Sequence, residues 1–138
     1  MRQAPFMLGM TLAAGIAGGV FGTQVLYGQL VPVKRTVLCR TALEGMEGKE
    51  GVVSLITLAP GAAIGKHFHA GHEFVHVLEG STSVKGEEEP PLTVREGGTF
   101  DQLPQQVHDF TNTSKTTPLK VLVLLIGGKD QPLATPAK

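Results

Sequence analysis

Short runs of alternating apolar and polar residues follow one another from about residue 36 to residue 126. Runs of about four to eight β-prone residues, separated by turn-forming residues at roughly 8–12-residue spacing, are typical of the strands of a sandwich or a barrel. Nothing after residue 30 has the apolar period of an amphipathic helix. The pattern predicts an all-β domain with strands at 36–40, 52–58, 65–69, 73–78, 81–85, 92–95, 100–103, 106–111 and 119–126.

The length of 138 residues indicates one folded domain. The tail 127–138 contains Pro132 and Pro136, and it reads as a docking or disordered segment rather than a second domain. The single cysteine, Cys39, excludes an intramolecular disulfide framework. Twelve basic and twelve acidic residues give no net charge, and no basic cluster is present. We therefore expect no nucleic-acid partner.

Residues 1–28 differ from the rest of the chain. Arg2 is their only charged residue, and the next charge is Lys34. A positive start followed by an apolar run and small residues is typical of a secretory signal peptide, with cleavage after Gly22 or Gly28. The alternative is an uncleaved membrane anchor, because the uncharged run exceeds the ~20 residues that span a bilayer. In either case we expect the domain 29–138 to face outside the cytoplasm, as a periplasmic, secreted or membrane-anchored protein.

The segment 61–80, GAAIGKHFHAGHEFVHVLEG, contains the main chemical signal. In a strand, His67 and His69 point to the same face with their Cα atoms roughly 6.5–7 Å apart. A tight turn over residues 70–72 then leads to Glu73 at the start of another strand. Two imidazoles and a carboxylate that converge in this way outline a site for a first-row transition metal.

A fourth ligand is available in the run 98–112, where His108 lies in a β-like stretch. All five histidines of the chain fall between residues 67 and 108. Two of them are interpreted as surface residues, because His72 falls in the predicted turn and alternation places His76 on the face opposite Glu73.

These two runs resemble the conserved motifs of the cupins. The first motif, G-x5-H-x-H-x3-E-x6-G, is matched at every fixed position, from Gly61 to Gly80. The second motif, G-x5-P-x-G-x2-H-x3-N, is matched by Gly98, Pro104, His108 and Asn112. It departs from the pattern in lacking the glycine after the proline and in having one residue fewer between Pro104 and His108.

The resemblance covers roughly residues 36–128 and implies a small single-domain cupin, a jelly-roll β-barrel with its ligands inside the barrel mouth. The ligand set it implies is His67, His69, Glu73 and His108. Iron, manganese, nickel and zinc, as divalent ions, all accept such ligands, and the sequence does not choose among them. Domains of this kind bind small molecules and often pair, so a small-molecule ligand and a homodimer are expected.

Three further residues are candidates for the pocket wall. Strand parity brings Gln106 and Phe110 toward the cavity, where Gln106 would form a hydrogen bond with the substrate or with a metal-ligating side chain. The alternative is that the Gln106 amide is satisfied within a turn. Phe100 and Phe110 would wall the pocket or pack in the core.

Three functions are consistent with this sequence. The first is a metal-dependent oxidoreductase resembling a dioxygenase, which acts on an enol, diketone or phenolic compound. The second is a non-catalytic module that binds a small ligand, and the third is a hydrolase or isomerase that uses the ion as a Lewis acid. No second inward-facing carboxylate or lysine is evident, which favours the first two, because general acid–base catalysis needs a titratable group near the substrate.

Overall fold

The computed structural model describes residues 32–138, which form two five-stranded antiparallel sheets. The described part contains strands and turns but no helix, which confirms the all-β prediction. The predicted signal peptide or anchor at 1–28 lies outside the described residues. The strands are β1 (Val33–Ala42), β2 (Lys49–Leu58), β3 (His67–Phe68), β4 (His72–Glu79), β5 (Ser81–Gly86), β6 (Leu92–Arg95), β7 (Thr99–Gln102), β8 (His108–Asn112), β9 (Leu119–Gly128) and β10 (Thr135–Pro136).

The two sheets have the strand orders β1-β2-β9-β4-β7 and β10-β3-β8-β5-β6. The longest pairing joins β2 to β9 in unbroken register, from Lys49 opposite Gly128 to Leu58 opposite Leu119. Most pairs of hydrogen-bonded strands are distant in sequence, so their residues come together only when the chain folds.

The core lies between the inner faces of the two sheets. In β9, buried residues alternate with partly exposed ones over the whole strand, as expected for a strand with one face on the core. Phe100 and Phe110 both belong to this core, with ring centroids 6.0 Å apart. The other members are Ile56, Leu58, Val75, Val77, Val84, Val94, Leu119, Val121 and Val123.

The bounds of some strands differ from the prediction, as at β1, β3 and β8, whereas the C-terminal tail is docked, which is one of the two alternatives expected for it. Strand β8 begins at His108 rather than at residue 106, because a turn precedes it in which Gln105 has the left-handed φ of 65°. The C-terminal tail docks on the second sheet, where β10 pairs with β3 and the Ala137 amide donates to the Lys66 carbonyl at 2.9 Å.

Between residues 32 and 138, no helix is long and apolar enough to cross a membrane.

Candidate metal centre

Three buried histidine side chains, on or next to strands of the second sheet, lie close together. His67 on β3 lies directly opposite His108 on β8, and His69 follows immediately after β3. Their ring centroids are 4.4 Å apart for His67 and His108, 4.9 Å for His67 and His69, and 5.2 Å for His69 and His108. All three are buried, and each offers a ring nitrogen within 4.8 Å of the other two. The group has the composition and spacing of a site that could hold a metal ion.

Backbone carbonyls determine which nitrogen each ring presents. The Nδ1 atom of His67 lies 2.7 Å from the Gly65 oxygen and that of His108 lies 2.9 Å from the Gln106 oxygen. The Nδ1 atom of His69 lies 2.5 Å from the Leu133 oxygen. A carbonyl oxygen only accepts, so Nδ1–H donates in each pair and Nε2 of the neutral ring keeps its lone pair. This is the orientation of metal-binding histidines, whose other ring nitrogen is held by a hydrogen bond.

Glu73 reaches the histidines from β4 in the first sheet. Its Oε2 atom is 3.2 Å from Nε2 of His69 and 3.8 Å from Nε2 of His108. The Nε2 atom of His69 is buried and has no hydrogen-bond partner among residues 32–138. A lone pair and a carboxylate oxygen repel each other at this distance, and burial strengthens the repulsion. A cation held between them would remove it, so the donors fit a bound metal ion.

Charge and burial keep these groups in the forms that bind metals. Burial lowers the pKa of His67 and of His108, although hydrogen bonds to backbone carbonyls oppose the shift. Burial alone would raise the pKa of Glu73, but its contact with His69 when that ring is protonated, together with the positive charge of Arg35, holds that pKa below its usual value. Neutral imidazoles and an ionised carboxylate are the states that a divalent ion requires.

The turn between His69 and Glu73 depends on a close backbone contact. A Cβ atom at Gly71 would lie 2.1 Å from the Ile126 carbonyl oxygen on β9 and 2.6 Å from the Gly127 Cα. No side chain fits there, so only glycine lets the chain cross the end of β9 and return as β4. The contact therefore sets the separation between His69, which follows β3 of the second sheet, and Glu73 on β4 of the first sheet.

The sequence profile of the Cupin domain family matches residues 54–125, just over half of the 138-residue chain. The chain belongs to the cupin family. The matched range includes the three histidines and Glu73, so the resemblance in the two motifs extends through the sequence between them and on to residue 125. A search of curated proteins found no match.

Solved cupin-like structures share this fold. A cupin-like protein from Thermotoga maritima is 20% identical, with a TM-score of 0.60, over 76% of this chain and 75% of that one. The polyketide cyclase RemF from Streptomyces resistomycificus is 18% identical, with a TM-score of 0.61, over 78% and 72%. The DMSP lyase DddQ from Ruegeria pomeroyi is 16% identical, with a TM-score of 0.61, over 77% and 52%. At these identities the similarity shows the fold alone.

The two remaining histidines of this cupin lie away from the centre. His72 opens β4, and its Nε2 atom is 2.8 Å from a carboxylate oxygen of Asp101. The Nδ1 atom of His76 is 2.9 Å from the Thr99 hydroxyl oxygen. Both residues alternate with the buried members of β4 and are partly exposed, as strand parity predicts for His76.

Gln106 lies elsewhere than strand parity suggests. Its Oε1 atom accepts a hydrogen bond from the Leu103 amide at 3.1 Å, so the side chain caps the turn before β8. The side chain borders a groove with Gly86 and Val107 on the outside of the barrel. Parity does not apply to Gln106 because the strand begins only at His108. Of the two phenylalanines, Phe110 lines the cavity beside the histidines, and Phe100 packs beside it in the core.

Two residues near the centre were missed by the sequence analysis. Gln102 lies directly opposite Glu73 in the β4–β7 pairing and is buried, and no residue in the described part of the chain bonds to its Oε1 atom. Its parity with Phe100 would have revealed it. Arg35 borders the same cavity as Glu73, but it preceded the run that was predicted as the first strand.

The docked tail leads to a testable expectation. Ending the chain at Pro132 would remove the Leu133 carbonyl that holds His69, together with β10. Loss of such an outer hydrogen bond typically costs about 10- to 100-fold in metal affinity. We expect a decrease of that size in zinc affinity, measured by competition with a chromophoric chelator. A chain lacking only Lys138 is the control, and equal affinities for the two truncated chains would contradict a role of the tail.

Proposed function

We propose that this cupin is a metal-dependent oxidoreductase of the dioxygenase type, which acts on a small oxygenated organic compound. A divalent iron, manganese, nickel or zinc ion would be held by His67, His69, Glu73 and His108, and oxidative chemistry would require a redox-active member of that group. The observation that carries the proposal is the buried set of three imidazoles and one carboxylate, of which two imidazoles and the carboxylate line an apolar cavity.

The cavity lies between the inner faces of the two sheets. The space between its atoms, including its opening to solvent, is about 250 Å³, but the interior has room for no more than about one water molecule, so a substrate would have to widen the cavity on binding. His67, Glu73 and His108 form its polar end. The remaining wall consists of Arg35, Ile56, Ile64, Val75, Phe110, Val121 and Val123.

The wall offers no separate acid or base among the residues that the structure describes. Apart from the proposed ligands, Arg35 is the only ionisable residue that lines the cavity. A guanidinium group stays protonated, so it does not serve as a general base. Reactions that need a dedicated proton-transferring side chain are therefore less well supported than chemistry centred on a metal.

The side chains of this chain would bind and orient the substrate and exclude water. The aliphatic wall favours a small, largely apolar substrate body, and displacing water from such a wall strengthens electrostatic contacts inside the site. When bound, the metal would supply Lewis acidity and, in a redox-active form, electrons for oxygen chemistry. The carbonyl contacts of the three histidines keep the donors preorganised for it.

A second function, non-catalytic binding of a small ligand, is supported by the narrowness of the cavity and its few polar groups. It uses the same residues and differs only in the absence of turnover, so experiment has to separate the two.

Oxygen consumption is the test. We expect the full-length, metal-loaded protein to consume dioxygen in the presence of a small enol, diketone or phenol, as measured with an oxygen electrode. A chelator should abolish the oxygen uptake, and adding the same metal ion back should restore it. Conversion of the compound without oxygen uptake would favour Lewis-acid chemistry instead. Saturable binding without conversion would favour the binding module.

A further inference from the structure

Arg35 occupies an unusual position for a strand arginine. It lies on β1 directly opposite Ile56, whose side chain belongs to the buried core. The alternation of β1 turns the Arg35 side chain inward, where it borders the cavity that contains Glu73. Burial lowers the pKa of Arg35, and the charge of Glu73 partly opposes that shift. A cationic group therefore lies partly buried at the edge of an apolar cavity.

Within residues 32–138, nothing bonds to this guanidinium. Arg35 takes part in no ion pair within 4.0 Å and in no side-chain hydrogen bond there, although its five N–H groups can all donate. Arg40, farther along the same strand, behaves differently, because its Nε atom lies 3.7 Å from a carboxylate oxygen of Glu50. Glu73 is close enough to influence Arg35 but faces the histidines. The guanidinium thus borders the cavity with donors that no other described residue engages and that only water reaches.

We propose that Arg35 binds the carboxylate of the substrate, so that the substrate is a small organic acid. Its carboxylate would accept two N–H bonds from the guanidinium, the geometry in which arginine binds carboxylates most strongly. Its apolar body would contact the aliphatic wall, and its oxygenated part would face the histidines. The placement of the reacting part rests on the proposed function, whereas the contact with Arg35 does not.

Carboxylate binding is measurable without turnover. The probe is butyrate, with butyramide as its uncharged analogue and inorganic phosphate as a competing anion. Binding to the full-length protein is followed through the NMR signal of the Arg35 Nε–H group, in metal-loaded and metal-free samples. We expect saturable binding of butyrate that shifts this signal, and no comparable effect of butyramide.

Substitution at Arg35 isolates its contribution. Arg35→Gln should weaken butyrate binding about 10- to 100-fold, as expected when a charge-assisted hydrogen bond is lost. Arg40→Gln removes an arginine from the same strand and should leave the affinity unchanged. Arg35→Lys keeps the charge but lacks the planar donor pair, so it should bind butyrate with intermediate affinity. The lysine variant also provides the test if the glutamine variant fails to fold.

The possible results distinguish failure of the Arg35 assignment from failure of the proposed function. Equal butyrate affinity in the wild type and in folded Arg35→Gln or Arg35→Lys would show that Arg35 does not contact the carboxylate. Binding of phosphate but not butyrate, with the same dependence on Arg35, would identify an inorganic-anion site instead. Arg35-dependent butyrate binding without oxygen uptake for any organic acid would retain the acid site and reject the oxidoreductase. Oxygen uptake that is equal for acids and for their amides would retain the oxidoreductase and reject the acid.

Discussion

Replacing His69 by alanine is expected to remove most of the metal from the protein. The Nε2 atom of His69 is buried and lies 3.2 Å from the Glu73 carboxylate, and no described residue forms a hydrogen bond with it. A bound metal would account for this arrangement. Loss of an outer-shell partner alone costs about 10- to 100-fold in affinity, and loss of a direct ligand should cost more. Elemental analysis of full-length protein, purified without chelators or a nickel column, measures the content directly.

His76→Ala is the matched control for this experiment. His76 is also an imidazole on the segment that carries Glu73, but it is partly exposed and contacts the Thr99 hydroxyl. We expect the His76→Ala protein to keep the wild-type metal content. Full occupancy in His69→Ala would reject the centre, and a clear loss in His76→Ala would show that the outward orientation of His76 is not maintained.

Replacing Asn112 by alanine is expected to cause a large loss of stability. Asn112 is 1% exposed, and its Nδ2 atom lies 2.9 Å from the Thr117 oxygen and 3.1 Å from the Ala59 oxygen. Its Oδ1 atom accepts from the Ser114 amide at 3.0 Å. Alanine would leave these buried backbone groups without partners, at about 1–3 kcal/mol for each group that water cannot reach. We expect the free energy of unfolding to fall by about 3 kcal/mol.

Thermal unfolding monitored by circular dichroism measures this effect, as a decrease in Tm of roughly 10 °C or more for a domain of this size. The neighbouring Thr113→Ala is the control. The Thr113 hydroxyl also donates to a backbone oxygen, that of Ser81 at 3.0 Å, but it is exposed. Its removal should change stability by no more than about 0.5 kcal/mol. Equal decreases in Tm for the two variants would mean that the buried hydrogen bonds of Asn112 do not stabilise the fold as expected.

Local patterns explain why so much of the fold could be predicted. Side chains in a strand alternate whatever the rest of the chain does, so the runs around Val75 and Val121 identified buried strands directly. Strand ends were less accurate, as at β1, because they depend on pairing with β2 rather than on composition. The family was evident for the same reason, because its first motif lies within one short segment.

The candidate site also contains some residues whose positions follow from the local sequence and others whose positions depend on the folded sheets. His67, His69 and Glu73 lie within seven consecutive residues, so their convergence follows from one short strand and one turn. His108 was recognised from its motif, but its position opposite His67 is a property of the sheet. For Gln106 the structure agrees with the alternative of an amide satisfied within a turn, because that turn interrupts the alternation that would have directed the side chain to the cavity.

The sequence by itself determined that this protein is all-β and that it is a cupin. It also identified the three histidines and the carboxylate that could form a metal centre, from their spacing and from the two motifs. Only the tertiary structure decided how the rings are turned, because the carbonyl that orients His69 belongs to Leu133, 64 residues away. The same holds for Arg35, whose cavity is built from strands that pair only after folding. Alternation and motif spacing are local properties of a chain, whereas hydrogen-bond partners and cavity walls are contributed by residues distant in sequence, and local patterns do not specify them.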